Sequence, residues 1–268
     1  MLKDITLGQY FPGDSILHRL DPRMKIFLIV IYIVTIFLAN NPVSFALVLA
    51  SALVLVFLSK IPAKLIFGGL KAVFFIMLFT AVINIFWTSG EHLLISFGVV
   101  KIYREGIEYA IFMVVRVISL IVGSSVLLTY TTSPIALTDG LERVLAPLKV
   151  LRIPVHEFSM MMTIALRFIP TLIEETDRII NAQKARGTDF SSGTLMQRAK
   201  ALIPIMVPLF VSAFHRADEL AVAMECRCYR GGEGRTRMTK LHLHVRDIVV
   251  LLAHVLFMGV VITMNVWF

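Results

Sequence analysis

The sequence predicts an all-α integral membrane protein, with about five transmembrane helices plus a cytoplasmic domain of three long or amphipathic helices. Three observations predict it. Of the 268 residues, 57% are hydrophobic and only 16% are charged, against about 25% charged in a soluble domain. The apolar residues gather into runs near the roughly 17–25 residues that a bilayer core requires. The basic residues are placed unevenly: 16 of the 26 Lys and Arg fall within residues 143–246, with nine of the 18 acids. A basic block beside apolar helices marks the cytoplasmic side.

In chain order, residues 1–25 read as a polar cytoplasmic lead, with Pro12-Gly13 and Asp21-Pro22 as breakers. Arg19, Arg23 and Lys25 serve there as a positive anchor for the helix that follows. So long a charged lead is unlike a cleavable signal peptide, and none is expected. Residues 26–130 carry four crossings, in runs 24–39, 43–58, 65–87 and 107–128. Residues 88–106 are expected to form a mixed loop. Arg116 lies mid-run in the fourth crossing, where a lone charge faces protein or water. It reads either as a buried structural or snorkelling arginine or as a transport residue.

Thr131-Thr132-Ser133-Pro134 looks like a helix start, with Ser133 as cap and Pro134 in the first position. Residues 131–246 then form the cytoplasmic domain, and 247–268 supply the last crossing. The positive-inside rule places the N-terminus and 131–246 inside and leaves the C-terminus outside.

Within the cytoplasmic block two long helices are predicted. The first repeats apolar or small residues at Phe158, Met162, Ala165, Ile169, Leu172, Thr176 and Ile179. The second does so at Leu195, Ala199, Leu202, Met206, Leu209 and Ala213, and its stripe breaks at Arg216. Steps of three and four are the stripe of a helix that packs on another surface. Pro170 is expected to kink the first, and Pro204 and Pro208 to bend the second. Each helix runs into an arginine among small residues: Ala185-Arg186-Gly187 in the first, Cys226-Arg227-Cys228 in the second. Gly187 is a natural helix stop. One arginine at a helix C-terminus is accounted for by the dipole. Two such ends read either as solvated termini of an antiparallel pair or as docking points. Met160, Met161 and Met162 offer a deformable apolar surface, or ordinary helix packing.

The sequence has no phosphate-binding glycine loop, no H-E-x-x-H, no nucleophile elbow and no paired-aspartate motif. It is not expected to be an ATPase or a hydrolase. A basic block on apolar-striped helices does not suit nucleic acid either. Cys226 and Cys228 stand at i and i+2, so no structural disulfide is expected in a reducing cytoplasm. A Cys-x-Cys metal site would need further ligands, with only His242 and His244 as candidates.

The lead over residues 8–25, the Thr131–Pro134 turn, Leu166-Arg167-Phe168-Ile169-Pro170 and the two arginine-ended helices together resemble one family. It is the transmembrane T component of energy-coupling factor (ECF) transporters. The resemblance covers nearly the whole chain. It departs from the family at Cys226-Arg227-Cys228, where Ala-Arg-Gly is frequent. The resemblance implies a non-catalytic scaffold that joins two ABC-type ATPases, as homo- or heterodimer, to one membrane substrate-binding S component, dedicated or exchangeable. The assembly imports a vitamin or a transition-metal ion. No cofactor is expected on this chain; ATP and Mg are used by the partner ATPases. Ala185, Arg186, Gly187, Cys226, Arg227 and Cys228 would dock the ATPases, and Met160, Met161 and Met162 would touch the S component. Asp21, Pro22, Arg23, Arg167 and Pro170 would be structural. The competing reading is a self-contained secondary transporter, for which only Arg116 and Asn84 offer polar groups at membrane depth.

Overall fold

A computed structural model describes residues 10–90, 92–97, 100–188, 190, 194–231 and 241–267. Parts of the N-terminal lead, of the connection 187–193 and of the linker 231–246 therefore lie outside the described residues. The chain is almost wholly helical: α1 Pro22–Leu38, α2 Pro42–Ser59, α3 Ala63–Trp87, α4 Arg104–Ser124, α5 Pro134–Val144, α6 Val155–Ala185, α7 Leu195–Cys226 and α8 Val245–Trp267. A π-helical turn, Ser125–Thr129, extends α4, and a 3-10 turn, Ala146–Leu151, precedes α6. The described residues fall into two compact units, one of residues 10–144 and 241–267, the other of 145–231.

Five helical segments are long and apolar enough to cross a membrane: α2, α3, α4 with its π turn, Met196–Cys226 of α7, and α8. The number matches the sequence expectation and the membership does not. At 17 residues α1 is too short for that set, while α7 enters it. The expected loop over 88–106 is also corrected. Leu93–Phe97 (β1) pairs antiparallel with Val100–Tyr103 (β2), and α4 begins at once at Arg104. β-Branched and aromatic residues favour the strand there.

In the larger unit α1 is the central helix. It packs on α8, α5, α4 and the π turn. Leu28, Tyr32 and Ile36 of α1 meet Phe45, Val48, Ala52 and Leu55 of α2 and Val122, Val126 and Leu127 beside the π turn, all buried. By contrast α3 buries only Ile66 and Met77. Phe67, Phe74, Phe75 and Phe79 point outward from it, as a surface bathed in lipid tolerates.

Polar layers fix both ends of α1. Asp21-Pro22, read from sequence as a breaker, instead starts the helix. The Asp21 carboxylate accepts the Arg23 N–H at 2.9 Å, and Pro22 fills the first turn, where no N–H is needed. Arg23 donates onward to the Leu241 carbonyl at 3.0 Å. Asp247, in the first turn of α8, accepts the N–H of Asp21 at 3.1 Å and that of His244 at 2.8 Å. Lys25 is only 1% exposed. Its three N–H donors meet the Thr131 carbonyl (2.8 Å), Thr131 Oγ1 (3.2 Å) and Thr132 Oγ1 (3.0 Å). A buried ammonium is tolerable only when satisfied in this way. At the other end Asn265 of α8 donates to the Leu38 carbonyl and accepts the N–H of Asn40 (3.3 Å) and the hydroxyl of Ser44 (2.9 Å). Thus α1 and α8 run parallel and are tied at both ends.

Where α1 crosses α4 there is no room for a side chain at Gly123. A Cβ there would lie 2.0 Å from the Tyr32 ring, and that ring is held by its hydroxyl on the Ser119 carbonyl at 3.2 Å. Gly123→Ala should therefore destabilise the unit by about 1–3 kcal/mol through overpacking. Thermal unfolding in detergent should show the lower midpoint, and Gly123→Ala with Tyr32→Leu should recover much of it. An unchanged midpoint for Gly123→Ala would show that the two helices do not meet this closely.

Candidate functional site: two helix ends

The unit of residues 145–231 is built on α6 and α7. Both run unbroken through their prolines. A capping box starts α7: the Thr194 side chain accepts from the N–H of Gln197, and the Gln197 side chain accepts the Thr194 N–H at 2.9 Å. Sequence inspection overlooked it, although Thr194-x-x-Gln197 was its signal.

The helices are antiparallel. Tyr229, beyond the end of α7, donates its hydroxyl to the Met160 sulfur near the start of α6 at 3.1 Å. Midway, Arg216 donates to Glu175 at 3.0 Å. The break in the second apolar stripe is therefore the cation that ties the two helices together. Little else is enclosed: Val155, Ser159 and Ile205 are the buried residues among those described in this unit. Ile203, Val207, Phe210, Val211 and Phe214 of α7 are each more than half exposed. An apolar face of this extent requires a cover of lipid or of another protein.

Both helices end alike. Arg186 and Arg227 occupy the C-cap positions, at φ/ψ −83/3 and −92/13. After Arg186, the N–H of Gly187 bonds to the Lys184 carbonyl and that of Thr188 to Gln183, each at 3.0 Å. After Arg227, the N–H of Cys228 bonds to Glu225 at 2.8 Å and that of Tyr229 to Met224 at 3.0 Å. These paired bonds are the Schellman motif, which needs a left-handed residue just past the cap. Gly187 supplies it at φ 88 and Cys228 at φ 55. Glycine takes this conformation freely, whereas cysteine pays roughly 1–2 kcal/mol. Cys228 thus holds a conformation that glycine would take at lower cost.

Ala185, Arg186, Gly187, Cys226, Arg227 and Cys228 are all exposed. Neither arginine side chain has a hydrogen bond or ion pair among the described residues. Because the helices are antiparallel, the two arginines sit at opposite ends of the pair. Arg186 lies 26 residues along the helix from Met160, or ~40 Å at 1.5 Å per residue. Of the methionine run, Met160 is engaged with Tyr229, while Met161 and Met162 are 58% and 41% exposed. Arg167 and Pro170 are exposed on α6; Asp21, Pro22 and Arg23 belong to the other unit and shape the start of α1. Cys226 and Cys228 are free thiols.

An almost wholly helical chain with five helices long and apolar enough to cross a membrane is a multi-pass membrane protein, and this one presents two matched cationic helix ends. Residues 13–238 match the cobalt transport protein family (CbiQ). Over 268 residues, covering 100% of this chain and 99% of the relative, the sequence is 52% identical to the energy-coupling factor transporter transmembrane protein EcfT of Clostridium kluyveri. It is 54% identical to the protein so named in Acidaminococcus fermentans over 241 residues, 90% of this chain and 89% of that one. For Bacillus subtilis the figure is 47% over 253 residues, 94% and 95% of the two chains. The chain belongs to this family of energy-coupling factor transporter transmembrane proteins.

The tie between α6 and α7 has a defined pH response. The Ser212 hydroxyl and then the Arg216 guanidinium hold the Glu175 carboxyl below its ordinary range. A depressed carboxyl stabilises the pair above its unfolded pKa and loses that contribution as the pH falls through the folded one. The distance between spin labels on α6 and α7 should therefore hold down through the ordinary carboxylate range and change only below it. Arg216→Met should move the change upward in pH. A wild-type transition that Arg216→Met leaves in place would remove this tie. The pair is partly exposed, so its contribution to stability is modest.

Proposed function

We propose that this chain is the non-catalytic scaffold of an ECF-type importer, passing the ATP-driven motion of two cytoplasmic ATPases to a membrane S component. The observation that carries the reading is the matched pair of helix ends at opposite extremes of one antiparallel pair. A dimer of ABC-type ATPases offers two grooves, and one helix pair offers two ends of the same chemistry. A guanidinium is always charged and forks onto carboxylates or carbonyls. Small neighbours, Ala185 and Gly187, or Cys226 and Cys228, let each end enter a groove.

In this reading residues 131–246, with the N-terminus, lie on the cytoplasmic side, in keeping with their basic excess, and the apolar length of α7 lies against lipid or a partner rather than across the membrane. ATP and Mg are bound by the ATPases, and the transported vitamin or transition-metal ion is selected by the S component. Met161 and Met162, with the exposed apolar face of α7, suit a partner that moves or exchanges, because methionine adapts its shape.

Arg186→Ala and Arg227→Ala should each weaken assembly or uncouple ATP hydrolysis from uptake. Removing one side of a desolvated charge pair costs on the order of 2–5 kcal/mol. The double variant should do so more severely, and lysine should rescue poorly because it keeps the charge and loses the fork. Cys226→Ala and Cys228→Gly should be mild, the latter also relieving the left-handed cysteine. Co-purification with the ATPases and uptake in reconstituted vesicles provide the readouts. Normal assembly and uptake by the double alanine variant would reduce the arginines to solvated helix ends.

A further inference from the structure

Arg116 of α4 takes no part in the helix ends, and its surroundings in the membrane unit are unusual. It forms no ion pair among the described residues. One terminal nitrogen donates to the Ala39 carbonyl at the end of α1, at 3.0 Å. The Phe45 and Phe37 rings hold the guanidinium at 5.2 and 5.9 Å. Its Nε is buried with no acceptor. The guanidinium borders a cavity of about 230 Å³, whose other polar lining is Asn40, Asn84 and Tyr109 and whose apolar lining includes Phe45, Phe112 and Met113. That is room for about seven waters, with donors on one side and hydrocarbon on the other.

The 17 residues of α1 reach about 25 Å, short of the roughly 30 Å hydrocarbon core. Arg116 is level with the end of α1, although it is 12 residues into α4. With Asn40 and Asn265 it forms a polar layer at the end of α1. An arginine within a membrane-spanning helix and without a carboxylate calls for a counter-charge from elsewhere. The planar guanidinium fork is shaped for phosphate. Tyr109 and Met113 of the lining are exposed, as is Phe37 beside the guanidinium, and such side chains suit acyl chains better than a free ion.

We propose that this cavity binds the phosphate of a membrane phospholipid, with Arg116 as its cation and the acyl chains lying over the exposed apolar rim. The bound lipid supplies the counter-charge that the protein itself does not provide.

The test is native mass spectrometry of the full chain, delipidated in detergent and titrated with phosphatidylglycerol or with diacylglycerol of the same acyl chains. Wild type should bind one phosphatidylglycerol in preference to diacylglycerol. Arg116→Gln should weaken that binding about tenfold or more, the size of a lost charge-assisted hydrogen bond. Asn40→Asp, at an exposed rim position, should weaken it similarly by placing a carboxylate against the phosphate. It decides the matter alone if Arg116→Gln loses its helical circular dichroism. Inorganic phosphate should not displace the lipid; if it does, the ligand is a free anion and the lipid assignment falls. Equal binding of diacylglycerol, or undiminished binding of phosphatidylglycerol by the folded variants, overturns the proposal.

Discussion

The buried ammonium of Lys25 is the constraint on which the membrane unit depends. It is tolerable only with three acceptors, and Thr131 and Thr132 supply all three where the extended α4 ends. That requirement fixes the first turn of α1 beside the residues that follow the π turn. Asp21 and Asp247 act at the same level and hold α8 in place. A hydrophobic contact alone would let these helices slide, because apolar side chains impose little register. Hydrogen bonds at a helix end have no such freedom, least of all where water cannot substitute for them. Asn265 repeats the principle at the opposite end of α1.

The unit of α6 and α7 follows a contrasting rule. It encloses almost nothing, and its long helices hold together through Glu175–Arg216, Met160–Tyr229 and limited packing. What it leaves exposed is an apolar face on α7 and two arginines at opposite ends. A pair so constructed depends on lipid or another protein to cover its face. The chain thus joins a closely packed unit to a loosely packed one, which the proposed role would use.

Much of this was legible in the sequence. Hydropathy located α2, α3, α4 and α8, and three-four periodicity located α6 and α7. Gly187 announced the end of α6, because glycine prefers the left-handed state. Cys228 could not announce the end of α7 in the same way, since nothing about cysteine signals a positive φ; the carbonyls of Met224 and Glu225 impose it. Asp21-Pro22 was misread because the same dipeptide serves as a breaker and as a helix start, and only the neighbours decide. Lys25 looked like a surface anchor because its acceptors lie more than a hundred residues away. The β1–β2 hairpin is not legible in the sequence, because its strands are only five and four residues long in a chain dominated by helical runs.

The proposed role depends on the two helix ends reaching different ATPase subunits. Thiol cross-linking in the assembled complex measures this most directly. With Cys226→Ala throughout, one thiol is the native Cys228 and the other is introduced by Ala185→Cys. Variants carrying either thiol alone should each become linked to one ATPase chain, and the variant carrying both should give a species with two. Linkage of both thiols to a single ATPase chain, or of neither to any, would contradict the account.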